Sequence, residues 1–402
     1  MSGNMERVLR LMAERGASDV YLAVNTPVLI RIDGQIVQLS EQLVSAGQLR
    51  NLLAEVLKPG QLEELDRTRE LNTGIGVAGV GSFRISAFQQ RGSLAAVLRC
   101  IPGNVPTPEE LGLPRGLAEL ALEKRGLVLM AGATGTGKST TLASLIEWRN
   151  QQMTGHILTI EDPIEFLFTN KRSVINQREV GRDTSSLETA LRNALRQAPD
   201  CILIGEIRDR ETMSAALSMA LSGHLVLATL HANNSVHALG RILSFYAHDA
   251  RSALLSDLSG ALKAIVSQRL LRALAGGRVP AVEVLRNTKL VAEMIERGDF
   301  GGVREAMESS MAPGSQTFEQ ELLRLVSQGI VTQDEALSHA DSQANLMWQL
   351  QNLIMAGGAA GAGASSRPAS VVEPPAFTAF TVEVREPAMR LPPVERAPRA
   401  AG

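Results

Sequence analysis

Gly132-Ala133-Thr134-Gly135-Thr136-Gly137-Lys138-Ser139 is the stretch on which the reading of this chain turns. It fits Gly-x-x-x-x-Gly-Lys-Ser/Thr, the phosphate-binding loop. The apolar run Leu127–Met130 before it reads as a buried strand, and Thr140–Trp148 after it reads as a helix. Strand, loop and helix in that order are the context the motif requires. The glycines let the backbone wrap a phosphate with several N–H groups aimed inward, and the helix N-terminus adds partial positive charge. Lys138 is placed to reach the β- and γ-phosphates, and the Ser139 hydroxyl to ligate Mg²⁺. The nucleotide-binding set is therefore Gly132, Ala133, Thr134, Gly135, Thr136, Gly137, Lys138, Ser139 and the adjoining Thr140.

Around that loop the chain alternates helices with apolar strands, Ile157–Ile160, Ile202–Ile204 and Leu225–Thr229. This pattern predicts a mostly parallel sheet with helices on both faces. Ser185 and Glu188 read as a capping box for a helix with apolar positions from Leu187 to Ala198. Glu211–Ser222 reads as a helix closed by Gly223. From about Ala250 to Asn352 the periodicity predicts helices alone.

Upstream, Met5–Arg15 and Ser45–Leu57 read as helices, with helical pattern continuing at Leu62–Leu65. Tyr21–Val24, Val28–Ile32, Ile36–Leu39, Ser82–Phe88 and Ser93–Cys100 read as strands, with Asp33-Gly34 as a hairpin turn. Glycines 74, 76, 79 and 81 read as turns. Residues 1–100 thus form a small α+β domain. Pro102, Pro106, Pro108 and Pro114 stiffen a linker over 101–116, the second domain covers 117–352, and 353–402 is a disordered tail holding seven of the 17 prolines.

Composition narrows the function. At 45% hydrophobic content the 402 residues can build a large core, and at 3% aromatics Ala, Leu, Ile and Val must fill it. Net charge of −2 gives no general pull towards nucleic acid or anionic lipid. No run reaches the roughly 18 apolar residues of a membrane span, and Met1–Arg10 lacks an apolar signal region. These features point to a cytoplasmic protein. Cys100 and Cys201 read as reduced thiols on core strands, too few for a four-cysteine zinc site.

Three further stretches carry chemistry. Ile157–Glu165 ends in carboxylates at the C-terminal end of a strand, where open α/β sheets bind ligands, so Glu165 or Glu161 could position and deprotonate water beside a γ-phosphate. Ile202–Glu206 is an apolar strand ending in an acid able to help hold Mg²⁺, while Arg208 and Asp209 read as a mutual pair. His224 and His231 bracket the fourth strand and read as phosphate contacts. Arg84, Arg91 and Arg99 in the first domain carry guanidinium groups that could meet charge on a transferring phosphoryl, but taken alone each reads as a surface or structural arginine.

Taken together, Thr159–Glu165, Gly205–Asp209, Gly223-His224 and Thr229–Ala232 resemble the secretion ATPases of type II and type IV systems. Ser18-Asp19, Arg31–Gly34 and Asn176-Gln177-Arg178-Glu179-Val180 extend the likeness into the retraction branch, PilT and PilU. The resemblance covers about residues 5–345. It implies a PAS-like α+β N-terminal domain followed by a RecA-like P-loop ATPase domain, an α/β protein with a helical C-terminal part. It implies a homo-hexameric ring, an ATP- and Mg²⁺-dependent motor at the cytoplasmic face of the inner membrane, powering or assisting pilus retraction in twitching motility. It makes Glu165 the catalytic glutamate, Glu206 the Walker B glutamate, Ser139 and Glu206 the metal-side residues, His224 and His231 the His-box pair, and Arg84 and Arg99 the arginines brought to the nucleotide.

Asn287–Ile295 stands where PilT-type members carry Ala-Ile-Arg-Asn-Leu-Ile, and Gly314–Glu319 with the long tail looks more like PilU. The implied partners are a PilT-like ATPase and an inner-membrane platform protein, with action either alone or alongside that ATPase. Two other readings use the same motifs: a RecA-like DNA-translocating ATPase, and an ATP-gated scaffold ring with weak hydrolysis. The first lacks a basic, aromatic-rich groove.

Overall fold

The computed structural model describes residues 3–32, 34–309 and 312–359. Asp33 of the expected turn and most of the expected tail lie outside the described residues. The described residues up to Asn352 form one compact unit.

The first sheet is assembled from α1 (Asn4–Glu14), β1 (Asp19–Ala23), β2 (Pro27–Ile32), β3 (Gln35–Leu43), α2 (Ala46–Ala54), α3 (Pro59–Thr68), β4 (Glu70–Val77), β5 (Gly81–Gln90) and β6 (Ser93–Ile101). Its strand order is β3-β2-β1-β6-β5-β4, every neighbouring pair antiparallel. Met5, Leu9 and Met12 fall at helical spacing and are fully buried against Val20, Leu22, Ile30, Phe83, Ile85 and Leu98. Each such side chain contributes about 1.5–3 kcal/mol on leaving water, which fixes the helix on one sheet face. Gly74 and Gly76, expected in turns, lie inside β4, an edge strand. A Cβ at Gly74 would stand 2.7 Å from Arg182 Nη1, so the missing side chain makes room for that arginine.

After the proline-bearing stretch come α4 (Arg115–Leu120), β7 (Gly126–Ala131), α5 (Lys138–Gln152), β8 (Gly155–Glu161), β9 (Ser173–Glu179), α6 (Leu187–Ala194), β10 (Cys201–Ile204), α7 (Arg210–Leu221) and β11 (Leu225–Leu230). Then follow α8 (Ser235–Ser244), α9 (Arg251–Ala261), β12 (Leu262–Arg272), β13 (Arg278–Arg286), α10 (Lys289–Arg297), α11 (Phe300–Glu308), α12 (Phe318–Ser327), α13 (Gln333–Ser338) and α14 (Gln343–Ala359). The second sheet runs β13-β12-β7-β11-β10-β8-β9, parallel throughout except for the antiparallel β12–β13 edge. β7, β10 and β11 are buried along their whole length, as strands covered on both faces should be. The fold class is the expected one: an α+β sheet domain followed by a mostly parallel α/β domain.

Three local expectations are corrected. The stretch from Ala250 to Asn352 is not helical throughout, because β12 and β13 form a hairpin inside it. Both strands are buried on two faces, so they carry no period-two signal, and the Gly276-Gly277 turn, at φ +89° and +75°, was the cue. Ser186, not Ser185, caps α6, its hydroxyl accepting from the Thr189 N–H at 3.1 Å. β9 went unpredicted because its only apolar residues, Val174 and Ile175, are adjacent rather than alternating and the rest of the strand is polar.

α5 is buried on nearly every side, from Thr141 and Leu145 to Asn150. Arg149 Nη1 donates to Ala121 O at 2.7 Å and Glu123 O at 2.9 Å, and Asn150 Nδ2 to Thr169 O at 2.8 Å. The C-terminal helices α12–α14 bury Phe318, Leu322, Leu325, Leu346 and Leu350 against Leu271 and Ala281 of the hairpin.

Candidate nucleotide site

β7 delivers the Gly132–Ser139 loop to the edge of the sheet where β8, β10 and β11 also end. Gly132, Gly135 and Gly137 adopt φ of +156°, +81° and +85°. Two of these glycines are demanded by a neighbour as well as by conformation. A Cβ at Gly132 would meet Gln268 O at 2.8 Å, and one at Gly137 would meet Gln268 Nε2 at 2.8 Å. Buried Gln268 on β12 grips the loop, Nε2 donating to Thr136 O and Oε1 accepting from Thr141 Oγ1, each at 2.8 Å. Sequence reasoning missed this residue because its strand was read as helix. Lys138 Nζ donates to Gly132 O and Ala133 O, both at 2.8 Å. Burial lowers its pKa, and the field of Glu206 opposes that shift.

The carboxylates separate by environment. Glu161 is buried, and Oε1 accepts from Thr159 Oγ1 at 2.7 Å and Gln177 Nε2 at 3.3 Å. Burial raises its pKa, offset in part by those hydrogen bonds and by one from the Glu165 backbone. Glu165 is exposed and lines the cleft above the loop. Of the two candidates for activating water, it is the accessible one. Glu206, at the end of β10, takes Arg208 on Oε2, at 2.8 Å from Nε and 2.7 Å from Nη2. Its Oε1 stands 3.0 Å from His231 Nε2. Arg208 thus pairs with Glu206 rather than with Asp209, whose Oδ1 caps α7 through the Thr212 N–H at 2.8 Å.

Arg84 and Arg99 are register partners across β5 and β6. Arg99 reaches the cleft, its Nε donating at 2.9 Å to Oδ1 of buried Asp19, which raises its pKa. Asp19 Oδ2 in turn accepts from Ser18 Oγ at 2.8 Å and stands 3.6 Å from Arg31 Nε. Arg84 does not line the cleft. Its Nη2 donates to Ile164 O at 2.9 Å, beside Glu165. His224 is not brought to the loop either: it precedes β11 at the opposite end of the strand from His231, and its Nδ1 lies 3.1 Å from Met219 O. Arg91 sits in the β5–β6 turn.

The cleft encloses ≈ 980 Å³ and is lined by Thr134, Lys138, Ser139 and Thr140 of the loop, by Glu161, Glu165 and Glu206, and by Arg99, Arg208, His231 and Arg278. That volume is at the upper end of the roughly 300–1,000 Å³ of ligand sites. Arg278, at the start of β13, is another residue the sequence did not single out.

Residues 5–277 match the family described as Type II/IV secretion system protein. The chain is 47% identical over 342 residues to the type IV pilus ATPase PilU of Pseudomonas aeruginosa, covering 85% of this chain and 90% of that one. It is 36% identical over 337 residues to the pilus retraction ATPase PilT of the same organism, covering 84% and 98%. A crystal structure of the pilus retraction motor PilT with bound ADP superposes with a TM-score of 0.80 at 40% identity, covering 85% of this chain and 98% of that one.

Proposed function

This chain belongs to the type II/IV secretion system protein family, with the PilT and PilU ATPases among its relatives, and we propose that it hydrolyses ATP to power or assist retraction of a type IV pilus. The observation that carries the reading is the juxtaposition, in one cleft, of a phosphate loop, an exposed carboxylate and a cation from the other sheet: Lys138, Glu165 and Arg99.

In this reading the loop amides and Lys138 hold the β- and γ-phosphates. Glu165 orients a water and accepts its proton as the water attacks the γ-phosphorus. His231, held by Glu206, donates towards the γ-phosphate, and Arg99 faces the charge that develops on the transferring group. Arg84 acts through the backbone at Ile164 rather than on phosphate. The small sheet follows the state of the nucleotide through these contacts, and the proline-bearing segment at 101–116 lets the two domains shift.

The Ser139 hydroxyl in the cleft suits Mg²⁺, which takes most of its ligands from phosphates and water, and Glu206, whose oxygens already meet Arg208 and His231, would reach the ion through water. When bound, the ion would neutralise phosphate charge. His224, remote from the loop within one protomer, has no role in this step. We further propose a homo-hexamer acting with a PilT-like ATPase and a membrane platform protein at the cytoplasmic face of the inner membrane. Among the described residues no helix is long and apolar enough to cross a membrane.

The test is a pair of variants. Lys138→Ala should lose both nucleotide binding and phosphate release. Glu165→Gln should bind ATP with Mg²⁺ and fail to release phosphate, and neither should restore twitching to a deletion strain. Normal turnover in both would remove the assignment.

A further inference from the structure

The segment Asn176–Val180 has no part in the mechanism above, yet its side chains converge on the loop that carries Glu165. β9 lies parallel to β8 with Gln177 opposite Thr159 and Glu179 opposite Glu161. Residues two apart on a strand share a face, so Gln177 and Glu179 both turn to the 161–168 loop. Glu179 Oε2 accepts from the Ile164 N–H at 3.1 Å. Gln177 Nε2 donates to Phe166 O at 2.8 Å, and its Oε1 accepts from the Phe168 N–H at 3.0 Å. From the other side Arg84 holds Ile164 O. The backbone on either side of Glu165, at Ile164, Phe166 and Phe168, is therefore held by three side chains, while the Glu165 carboxylate itself stays exposed in the cleft.

Hydrogen bonds that close a loop onto a neighbouring strand anywhere along its length would suffice for folding. Here they act on the residues immediately flanking one acid, on a loop with no helix or strand of its own between β8 and β9. We propose that Glu179, with Gln177, is a positioning residue for Glu165, setting the height of its carboxylate over the phosphate loop. The inference rests on the reading of Glu165 as the base. Misplacing a reacting group by about 1 Å can cost on the order of a hundredfold in rate without loss of binding.

The test uses the full-length protein and steady-state phosphate release, with nucleotide affinity measured separately. Glu179→Ala should lower kcat at least tenfold and leave the Kd for ATP within twofold. Glu179→Gln keeps an acceptor oxygen and should retain at least half of the wild-type kcat. In a Glu165→Gln background, Glu179→Ala should cause no further loss of the residual rate. An unchanged kcat in Glu179→Ala, or an equal loss in both backgrounds, overturns the proposal and leaves the base assignment standing. Normal turnover in Glu165→Gln removes the base assignment itself, whatever Glu179 does. Should Glu179→Ala not fold, Glu179→Asp, which withdraws the acceptor by one methylene, carries the same expectation.

Discussion

Glu206 and His231 meet at 3.0 Å across the ends of two adjacent parallel strands, with Arg208 on the other oxygen of the carboxylate. The carboxylate therefore orients the imidazole, and one ring nitrogen is committed to it. His231→Ala should lower kcat by about a hundred- to a thousandfold, the usual cost of losing one preorganised donor to developing charge, with ATP affinity little changed. His224→Ala in an isolated protomer should leave nucleotide affinity unchanged. Phosphate release and equilibrium binding of a fluorescent ATP analogue would check both.

Gln268 should matter for binding more than for chemistry. Thr141→Val removes one hydrogen bond, worth about 1 kcal/mol, and should weaken nucleotide binding about fivefold. Gln268→Leu removes two and should weaken it further. Gln268→Glu, which sets a carboxylate oxygen against Thr136 O, should be the most damaging of the three. Titration with the fluorescent analogue gives the order directly.

Asp19 holds Arg99 from a buried position, with 5% of its side chain exposed against 65% for the arginine. Asp19→Asn keeps the shape and removes the charge that fixes the guanidinium. We expect kcat to fall about five- to tenfold with the melting temperature within about 2 °C. Arg99→Ala should do the same, and the double variant should be no slower than the single ones.

Glu283 is buried, and its Oε1 accepts from the Ser235 N–H at 2.7 Å and Ser235 Oγ at 2.5 Å at the start of α8. Burial raises its pKa above the ordinary 4.5, and nearby Asp341 adds to the rise. The folded state therefore holds this proton more tightly than the unfolded chain, and stability falls as pH rises from about 4.5 through the folded pKa. Glu283→Gln keeps the acceptor and has no charge to bury. Its melting temperature relative to wild type should climb with pH across that window and then level. Thermal melts from pH 4.5 to 8 would show the divergence, and a constant difference would refute it.

Cys201 is fully buried on β10, and burial pushes its thiol up to about 12. Cys100 is half-buried and is raised by the same cause. A thiol reagent at pH 8 should modify Cys100 slowly in the native protein and reach Cys201 only with denaturant. Rapid labelling of both would contradict the packing of β10.

Much of this was legible in the residues. The loop, the apolar strands β7, β8, β10 and β11 and the acids that follow two of them can be read from local pattern, whereas Glu165 is separated from Glu161 only by the family resemblance. What stayed hidden depends on contacts far apart in the chain. Gln268 is 132 residues from the Thr136 carbonyl it holds. Arg84 is 80 residues from Ile164 O, and the bond goes to main chain, which no side-chain motif records. His224 and His231 read as bracketing a strand, but the sequence does not say which end of that strand meets the loop, and six residues put the two rings at opposite ends of it.

The packing around α5 has a mechanical corollary. Arg149 and Asn150 pin its C-terminal end to three backbone carbonyls of neighbouring segments, and Gln268 pins its first turn, so the rod cannot slide without breaking its own cladding. Among the described residues, the hydrogen bonds from the antiparallel sheet to the parallel one come down to Arg84 on Ile164 O. With so few such bonds to break, any shift prompted by a change in the cleft is expected in the antiparallel sheet before it is expected in α5.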